Sequence, residues 1–361
     1  MLCKICYEKH SVAATIDSVL CNLTQEGSSC HACKRDDCYR SSIYCARHEL
    51  NVLPMHGTRP CGFTNFRSSC YLNAAIQAIF ATPSLRLVLS RLWENLSAQQ
   101  RRILLSPTPD WEPPVEEALA ALLWQSYTHN SNAPLYPMRF LNQFHTNSQD
   151  DSAGFLMQII GGGATNCCPH LFELLQFQID RMRVCDCGYR SYKAPEVKNC
   201  LELPLVKAGG EVMDNVQQVL DYYVASLNEV IDYRDTCTSC HIERLRFMFV
   251  NEVTYFPPVL MLNLVRSSGA EVDITCPIFV SLELKFLTML YRLQSVVNHL
   301  GTSINYGHYV TVARHPTSQQ EWWFYDDEKS RPAQPAEINS MACVCGWGPM
   351  HSYVLFYELR N

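Results

Sequence analysis

The sequence predicts an α+β protein, and three observations carry that expectation. Apolar segments of helix length and composition occupy residues 70–160. After residue 245 the apolar runs shorten to strand length and fill with Val, Leu, Phe and Tyr. The two kinds of segment do not alternate as they would in βαβ units. With 47% hydrophobic and 18% charged residues in 361, the composition is that of a packed globular protein, long enough for a large domain plus a small one. A formal net charge of −6 weighs against a phosphate-binding surface, and so against nucleic acid as a partner of the larger domain.

Cysteine usage divides the chain. There are 19, an odd number that cannot pair completely within one chain, and seven precede residue 46. Residues 1–10 run through Cys3, Lys4, Cys6, Glu8 and Lys9 rather than an apolar leader, and runs such as 259–264 are too short to span a bilayer. The expectation is a cytosolic or nuclear protein with no membrane segment, whose cysteines serve as thiols, metal ligands or a nucleophile. Residues 1–56 lack apolar periodicity and are expected to fold only around metal. Cys3-x2-Cys6, Cys21, Cys30-x2-Cys33-x4-Cys38 and Cys45-x2-His48 supply eight ligands, enough for two tetrahedral zinc ions, with His10 and His31 in reserve. Their spacing matches no RING or C2H2 pattern. A linker from Pro54 to Pro60 separates this small N-terminal zinc-binding module from a domain over 57–361, and the module's expected work is to bind a partner rather than to share in chemistry.

In the larger domain the elements follow in order. Residues 71–80 are strongly apolar and rich in helix formers, so a buried helix begins at or near Cys70. Further helices are expected over 84–96, 115–127, 151–160 and 215–227, and strands over 247–253, 259–265, 309–313 and 353–359.

The chemistry-bearing residues sit at the boundaries of these elements. Cys70 ends the polar loop that starts at Gly62 and opens the helix, where the positive end of the helix dipole favours thiolate over thiol. A small buried residue at a helix start is the plainer account of such a cysteine, and the choice turns on whether a base exists. Gly307-His308-Tyr309 places a histidine at the start of a strand, and the aromatic run from Trp322 ends in Asp326 and Asp327. A carboxylate that accepts a hydrogen bond from one imidazole nitrogen fixes the tautomer and leaves the other nitrogen for the thiol.

Together these segments resemble the Cys box and His box of the ubiquitin-specific proteases, which have a papain-like catalytic centre. The family's first box, G-L-x-N-x-G-N-T-C-Y-M-N-S-x-L-Q, is matched in register by Gly62, Asn65, Cys70, Tyr71, Asn73 and Gln77. The second is matched by Val296-Val-Asn-His-Leu-Gly301, Gly307-His308-Tyr309, and Trp322 with Asp326-Asp327, and the closing strand by Ser352-Tyr-Val-Leu-Phe-Tyr357. Gln149-Asp-Asp-Ser-Ala-Gly-Phe-Leu156 stands for the family's Q-x-D-A-H-E-F-L segment. The resemblance covers residues 57–361 and implies a helical thumb, a β palm, zinc-tipped β fingers and a deubiquitinase that acts on ubiquitin or ubiquitinated proteins. Carried over residue by residue, it implies Cys70 as nucleophile, His308 as base, Asp326 as the group orienting His308, Asn65 as an oxyanion donor and Asp327 as further polar support.

Four positions depart from the pattern. Arg67 replaces a glycine of the first box, Ala153 and Gly154 replace a His-Glu pair, and Ser267 replaces a phenylalanine after Arg266. These keep open a catalytically impaired ubiquitin-binding scaffold, and a protease for a ubiquitin-like modifier stands as a further alternative. In the family the fingers are closed by zinc on two cysteine pairs. The corresponding residues are Cys185 and Cys187 with Cys237 and Cys240; the first pair is one residue short of C-x-x-C, which makes Cys185 the uncertain fourth ligand.

Overall fold

The computed structural model describes residues 61–360 apart from 67, 107–112, 130–132, 138–143, 145–151, 161–166, 228, 267–275, 304–305, 317, 319, 340–342 and 345–347. The expected zinc-binding module, with Cys3, Cys6, Cys21, Cys30, Cys33, Cys38, Cys45 and His48, lies outside the described residues.

The first helix, α1 (Cys70–Ala81), carries no charged residue and every one of its positions is buried. A helix that is apolar all round belongs in a core. It shares one apolar cluster with α2 (Pro83–Asn95), α3 (Ala98–Leu105), α4 (Val115–Thr128), α5 (Ser152–Ile160) and α6 (Pro169–Leu175). α2 opens on a proline, whose missing N–H costs nothing in the first turn. Its next residue, Ser84, donates from its backbone (2.9 Å) and hydroxyl (2.5 Å) to the buried Glu358 carboxylate, so the last strand caps the second helix. α3 adds to the expected set and starts with a capping box between Ser97 and Gln100.

Strands begin earlier than expected: β1 (Phe177–Val184), β2 (Arg190–Tyr192), β3 (Glu196–Lys198) and β4 (Leu201–Pro204) precede α7 (Val216–Ser226). Then come β5 (Glu229–Thr236), β6 (Glu243–Tyr255), β7 (Val259–Val265), β8 (Glu283–Phe286), β9 (Met289–Ser303), β10 (Tyr306–Arg314), β11 (Trp322–Asp326), β12 (Lys329–Pro332), α8 (Pro335–Ile338), β13 (Cys343–Val344) and β14 (Gly348–Leu359). The expectation that strands start only after residue 245 is thus corrected. β1 mixes Asp180, Arg181 and Arg183 among its apolar residues and is only half-buried, which hides it from a search for apolar runs.

A five-stranded sheet runs β2-β1-β6-β5 with β3 on β1, and a nine-stranded sheet runs β12-β11-β10-β9-β14-β7-β4 with β13 on β14 and β8 on β9. Every pairing is antiparallel except that of β4 with β7. The large sheet is covered on both faces. Val259 and Met261 of β7 join the helical cluster, whereas Leu260, Leu262 and Leu264 pack with Val216, Val219 and Leu220 of α7. A strand buried on both sides reads as a continuous apolar run, which is why β7 was legible to the residue. α1 lies against β9, β10 and β11 and so delivers Cys70 to the strand that carries His308. Among the described residues no single helix is long and apolar enough to cross a membrane.

Candidate active site

The loop that leads into α1 is held by partners distant in sequence. A Cβ on Gly62 would lie 2.4 Å from the Glu328 carbonyl oxygen, so only glycine lets the loop approach the β11–β12 turn. Phe63 then donates its N–H to the Asp327 carbonyl (2.8 Å), Leu135 donates to the Gly62 carbonyl (2.9 Å), and the Gln77 amide donates to the Cys61 carbonyl (2.9 Å). Inside the loop, the Ser69 N–H (3.1 Å) and hydroxyl (3.3 Å) both donate to Asn65 Oδ1. The Ser69 hydroxyl also accepts from Phe66 N–H, and it makes no side-chain cap for α1. Cys70 follows as the first residue of α1 and is 4% exposed. Arg67 and Ser267 lie outside the described residues.

His308 enters from β10. Its Nε2 lies 2.6 Å from Asp326 Oδ1 and 3.7 Å from Asp327 Oδ2. Burial alone would pull this imidazole down, but the hydrogen bonds to Asp326 and Cys70, with the nearby Asp327 charge, push it up to about 10. The same bond from His308 holds the Asp326 carboxyl below its ordinary value. Cys70, His308 and Asp326 therefore stand together, with an imidazolium beside the Asp326 carboxylate at neutral pH.

Asp327 has a separate task. It occupies the two-residue β11–β12 turn at φ +46°, a left-handed conformation that aspartate tolerates. Its Oδ2 accepts from the Asn65 amide (2.7 Å) and its Oδ1 from the Asn73 amide (2.8 Å). Burial raises its carboxyl above the usual range even so. Asn65 is thereby clamped at both ends, oxygen to Ser69 and nitrogen to Asp327. All five residues singled out for chemistry, Cys70, His308, Asp326, Asn65 and Asp327, meet in one place.

Asn73 and Ser69 were missed as parts of this site. Asn73 lies three residues after Cys70 and so on the same helix face, a spacing that could have flagged it. The departures at Ala153 and Gly154 fall in α5, whose Ser152 hydroxyl donates to the Tyr71 carbonyl (2.8 Å) just behind Cys70. Ala153 is buried, whereas Gly154 is exposed with nothing within 4 Å of a Cβ there.

A second cluster lies at the end of the five-stranded sheet. Cys185 and Cys187 sit in the β1–β2 turn, Cys237 and Cys240 in the β5–β6 turn, and all four sulfurs lie within 4.8 Å of one another. Two opposed sulfur pairs, Cys185 with Cys240 and Cys187 with Cys237, are 4.0 and 3.7 Å apart. A tetrahedron of metal–thiolate bonds of ~2.3 Å has edges of roughly 3.8 Å. The short C-x-C spacing is no obstacle, because Gly188 at φ +84° turns the chain back and lets Tyr189 accept from Cys185 N–H (2.9 Å). Cys185 is thus as well placed as its three partners. Backbone N–H groups of Cys240 and Ser239 hold the Cys237 thiol low, which favours the thiolate a metal needs.

A family model described as ubiquitin carboxyl-terminal hydrolase matches residues 61–357. Ubiquitin carboxyl-terminal hydrolase 26 of Oryza sativa subsp. japonica is 24% identical over 296 residues, covering 74% of this chain and 25% of that protein. Human ubiquitin carboxyl-terminal hydrolase 21 is 28% identical over 190 residues, 48% of this chain and 31% of that one. Ubiquitin carboxyl-terminal hydrolase 4 of Arabidopsis thaliana is 22% identical over 367 residues, 84% of this chain and 94% of that one. The matches thus span 25% and 31% of the rice and human relatives' own lengths.

Proposed function

Because the chain belongs to the ubiquitin carboxyl-terminal hydrolase family, we propose that it is a thiol-dependent deubiquitinase that cuts the peptide or isopeptide bond after the C-terminal glycine of ubiquitin. The observation that carries this reading is His308, with Cys70 beside its imidazole and Asp326 Oδ1 2.6 Å from its Nε2. His308 already holds the proton that Cys70 has given up, and the Cys70 sulfur attacks the carbonyl carbon. As the tetrahedral intermediate collapses, the C–N bond breaks and His308 returns the proton to the leaving amine. The now neutral His308 takes a proton from water, the water oxygen attacks the thioester carbon, and the C–S bond breaks, freeing the carboxyl end and leaving the proton on His308. Asp326 keeps the imidazole in place and favours its charged form. The Asn65 amide, clamped by Asp327 and Ser69, donates to the oxyanion, a contribution typically worth ~3 kcal/mol of barrier.

In the same reading Cys185, Cys187, Cys237 and Cys240 hold a structural zinc, since four thiolates in a closed tetrahedron suit that ion and leave no position open for chemistry. Residues 1–56 form a zinc-binding module that selects partners. The test is a ubiquitin bearing an electrophile at its C-terminus, together with a ubiquitin C-terminal fluorogenic amide. The expected result is an adduct on Cys70 and turnover that Cys70→Ala or His308→Ala abolishes. Binding of ubiquitin with neither adduct nor turnover would make the protein a scaffold. Adduct formation only with a ubiquitin-like modifier would change the substrate.

A further inference from the structure

The catalytic strand rests on a buried histidine that the proposed mechanism does not use. His299 lies on β9, opposite Tyr309 of β10 on one side and His351 of β14 on the other. Its ring is 2% exposed and packs edge-on against Tyr309, with centroids 4.9 Å apart, and near Tyr353 at 6.1 Å. Those two tyrosines meet each other at 90°. The third wall of this box is backbone. A Cβ on Gly307 would lie 2.2 Å from His299 Nε2, 2.4 Å from its Cε1 and 2.4 Å from the Leu300 carbonyl oxygen. The imidazole therefore fills the space that Gly307 leaves empty, one residue before His308. The β9–β10 register shifts between Tyr306 and His308, so the chain bulges where it meets this ring.

Two further properties set His299 apart from ordinary packing. Among the described residues its buried Nε2 has no hydrogen-bond partner, an arrangement that costs free energy and calls for a reason. Burial, then repulsion from His351, His308 and Arg266, pushes the ring down to about 4, so from about pH 4 upward it is neutral while His308 still carries its charge. A second imidazolium here would repel the one that the reaction needs.

We propose that His299 is a positioning residue: a neutral ring that supports the bulge at Gly307 and so holds His308 between Cys70 and Asp326. This rests on the reading of Cys70 and His308 as nucleophile and base. It acts through His308 and touches no reacting atom.

The test uses full-length protein with His299→Ala and His299→Gln. Hydrolysis of a ubiquitin C-terminal fluorogenic amide gives kcat and KM, and the pH dependence of Cys70 alkylation by iodoacetamide reports the Cys70–His308 pair without any substrate. His299→Ala is expected to lower kcat at least thirtyfold with KM within threefold, and to slow alkylation at pH 6–7 at least tenfold. His299→Gln, which keeps a planar group of similar reach, is expected to recover at least a third of the wild-type kcat. A folded alanine variant with kcat within threefold of wild type, or with an unmoved alkylation profile, overturns the proposal. If the alanine variant does not fold, His299→Gln decides. A loss of 1.5- to threefold in kcat with a displaced alkylation profile supports the idea, and an unchanged kcat with an unmoved profile sinks it. Should wild type show no turnover on ubiquitin, the substrate reading fails, and the alkylation profiles still decide whether His299 positions His308.

Discussion

The substitution Asp327→Asn loosens the clamp on Asn65 and also removes a charge 3.7 Å from His308, while leaving the Asp326 bond in place. Asp327 receives two amide N–H groups, one on each carboxylate oxygen, at 2.7 and 2.8 Å. A carboxamide has the same shape but one acceptor, so one of the two asparagines must face an NH2 with its own NH2. The turn itself is spared, because asparagine tolerates the left-handed φ and the Phe63 bond goes to backbone. Losing a hydrogen bond to a charged acceptor costs about 1.5–3 kcal/mol, and a stranded buried donor adds about 1–3 kcal/mol. If Asn65 is displaced, the reaction loses an oxyanion donor, worth roughly 100- to 1,000-fold in kcat. The expected outcome is a fall in kcat of that order on a ubiquitin C-terminal fluorogenic amide, with KM changed by less than about threefold. The double variant Asn65→Ala/Asp327→Asn should be hardly worse than Asn65→Ala alone, since both act on one group. Multiplying losses, or a folded Asp327→Asn protein with more than a third of the wild-type kcat, would refute the clamp.

The other substitutions probe separate parts of the molecule. In Asp326→Asn the alkaline limb of kcat should move to lower pH, because His308 is held near 10 largely by that carboxylate. The folded His308 value lies above its ordinary 6.5 and the folded Asp326 value below its ordinary 3.8, so the pair stabilises fully between those two values. The melting-temperature loss in Asp326→Asn should therefore be largest at about pH 4–6.5 and shrink towards pH 10; a pH-independent loss would contradict the assignment. Replacing Cys237 and Cys240 together by serine should remove one metal ion per chain and lower the melting temperature, both read on full-length protein; unchanged metal content would exclude the four-thiol site. Gly154→Ala should stabilise α5 by about 1 kcal/mol, because a helical glycine there has open space for a methyl group, and should leave turnover alone. A lower melting temperature would mean that the glycine has a use that the packing does not reveal.

How much of this was legible in advance differs from element to element. α1 and β7 were read almost to the residue because each is buried on nearly every side and therefore mostly apolar. The long strand β9 was not, although it lies at the centre of the large sheet. Gln294, Ser295, Asn298 and His299 are all buried within it, so neither an apolar run nor a clean alternation appears. The strands of the small sheet hide for a different reason: β1 is half-exposed and interleaves charge, and its identity comes from pairing with β6. At the candidate site, residue types and spacing pointed to Cys70, His308 and the paired aspartates, since each motif is local. The separate roles of Asp326 and Asp327 came from the family resemblance and not from spacing, and what neither revealed was the clamp on Asn65 or the ring beneath Gly307. Both depend on which segments, hundreds of residues apart or on neighbouring strands, finally touch.

The bond from Asn65 to Asp327 joins residues 262 positions apart. At a synthesis rate of about 5–20 residues per second, the ribosome needs roughly 13–50 s between making one and the other. For most of that interval, until residue 308 is made, the chain holds a nucleophile segment and no base. Its thiol sits on a helix that has no sheet to bury it, and closing so long a loop is among the slower events in folding. The site would therefore be incomplete on the ribosome by construction of its topology alone. Its reactivity would switch on only when β10, β11 and the turn at Asp327 have emerged and docked, so a chain truncated anywhere before residue 327 would lack the site, whatever else of it had folded.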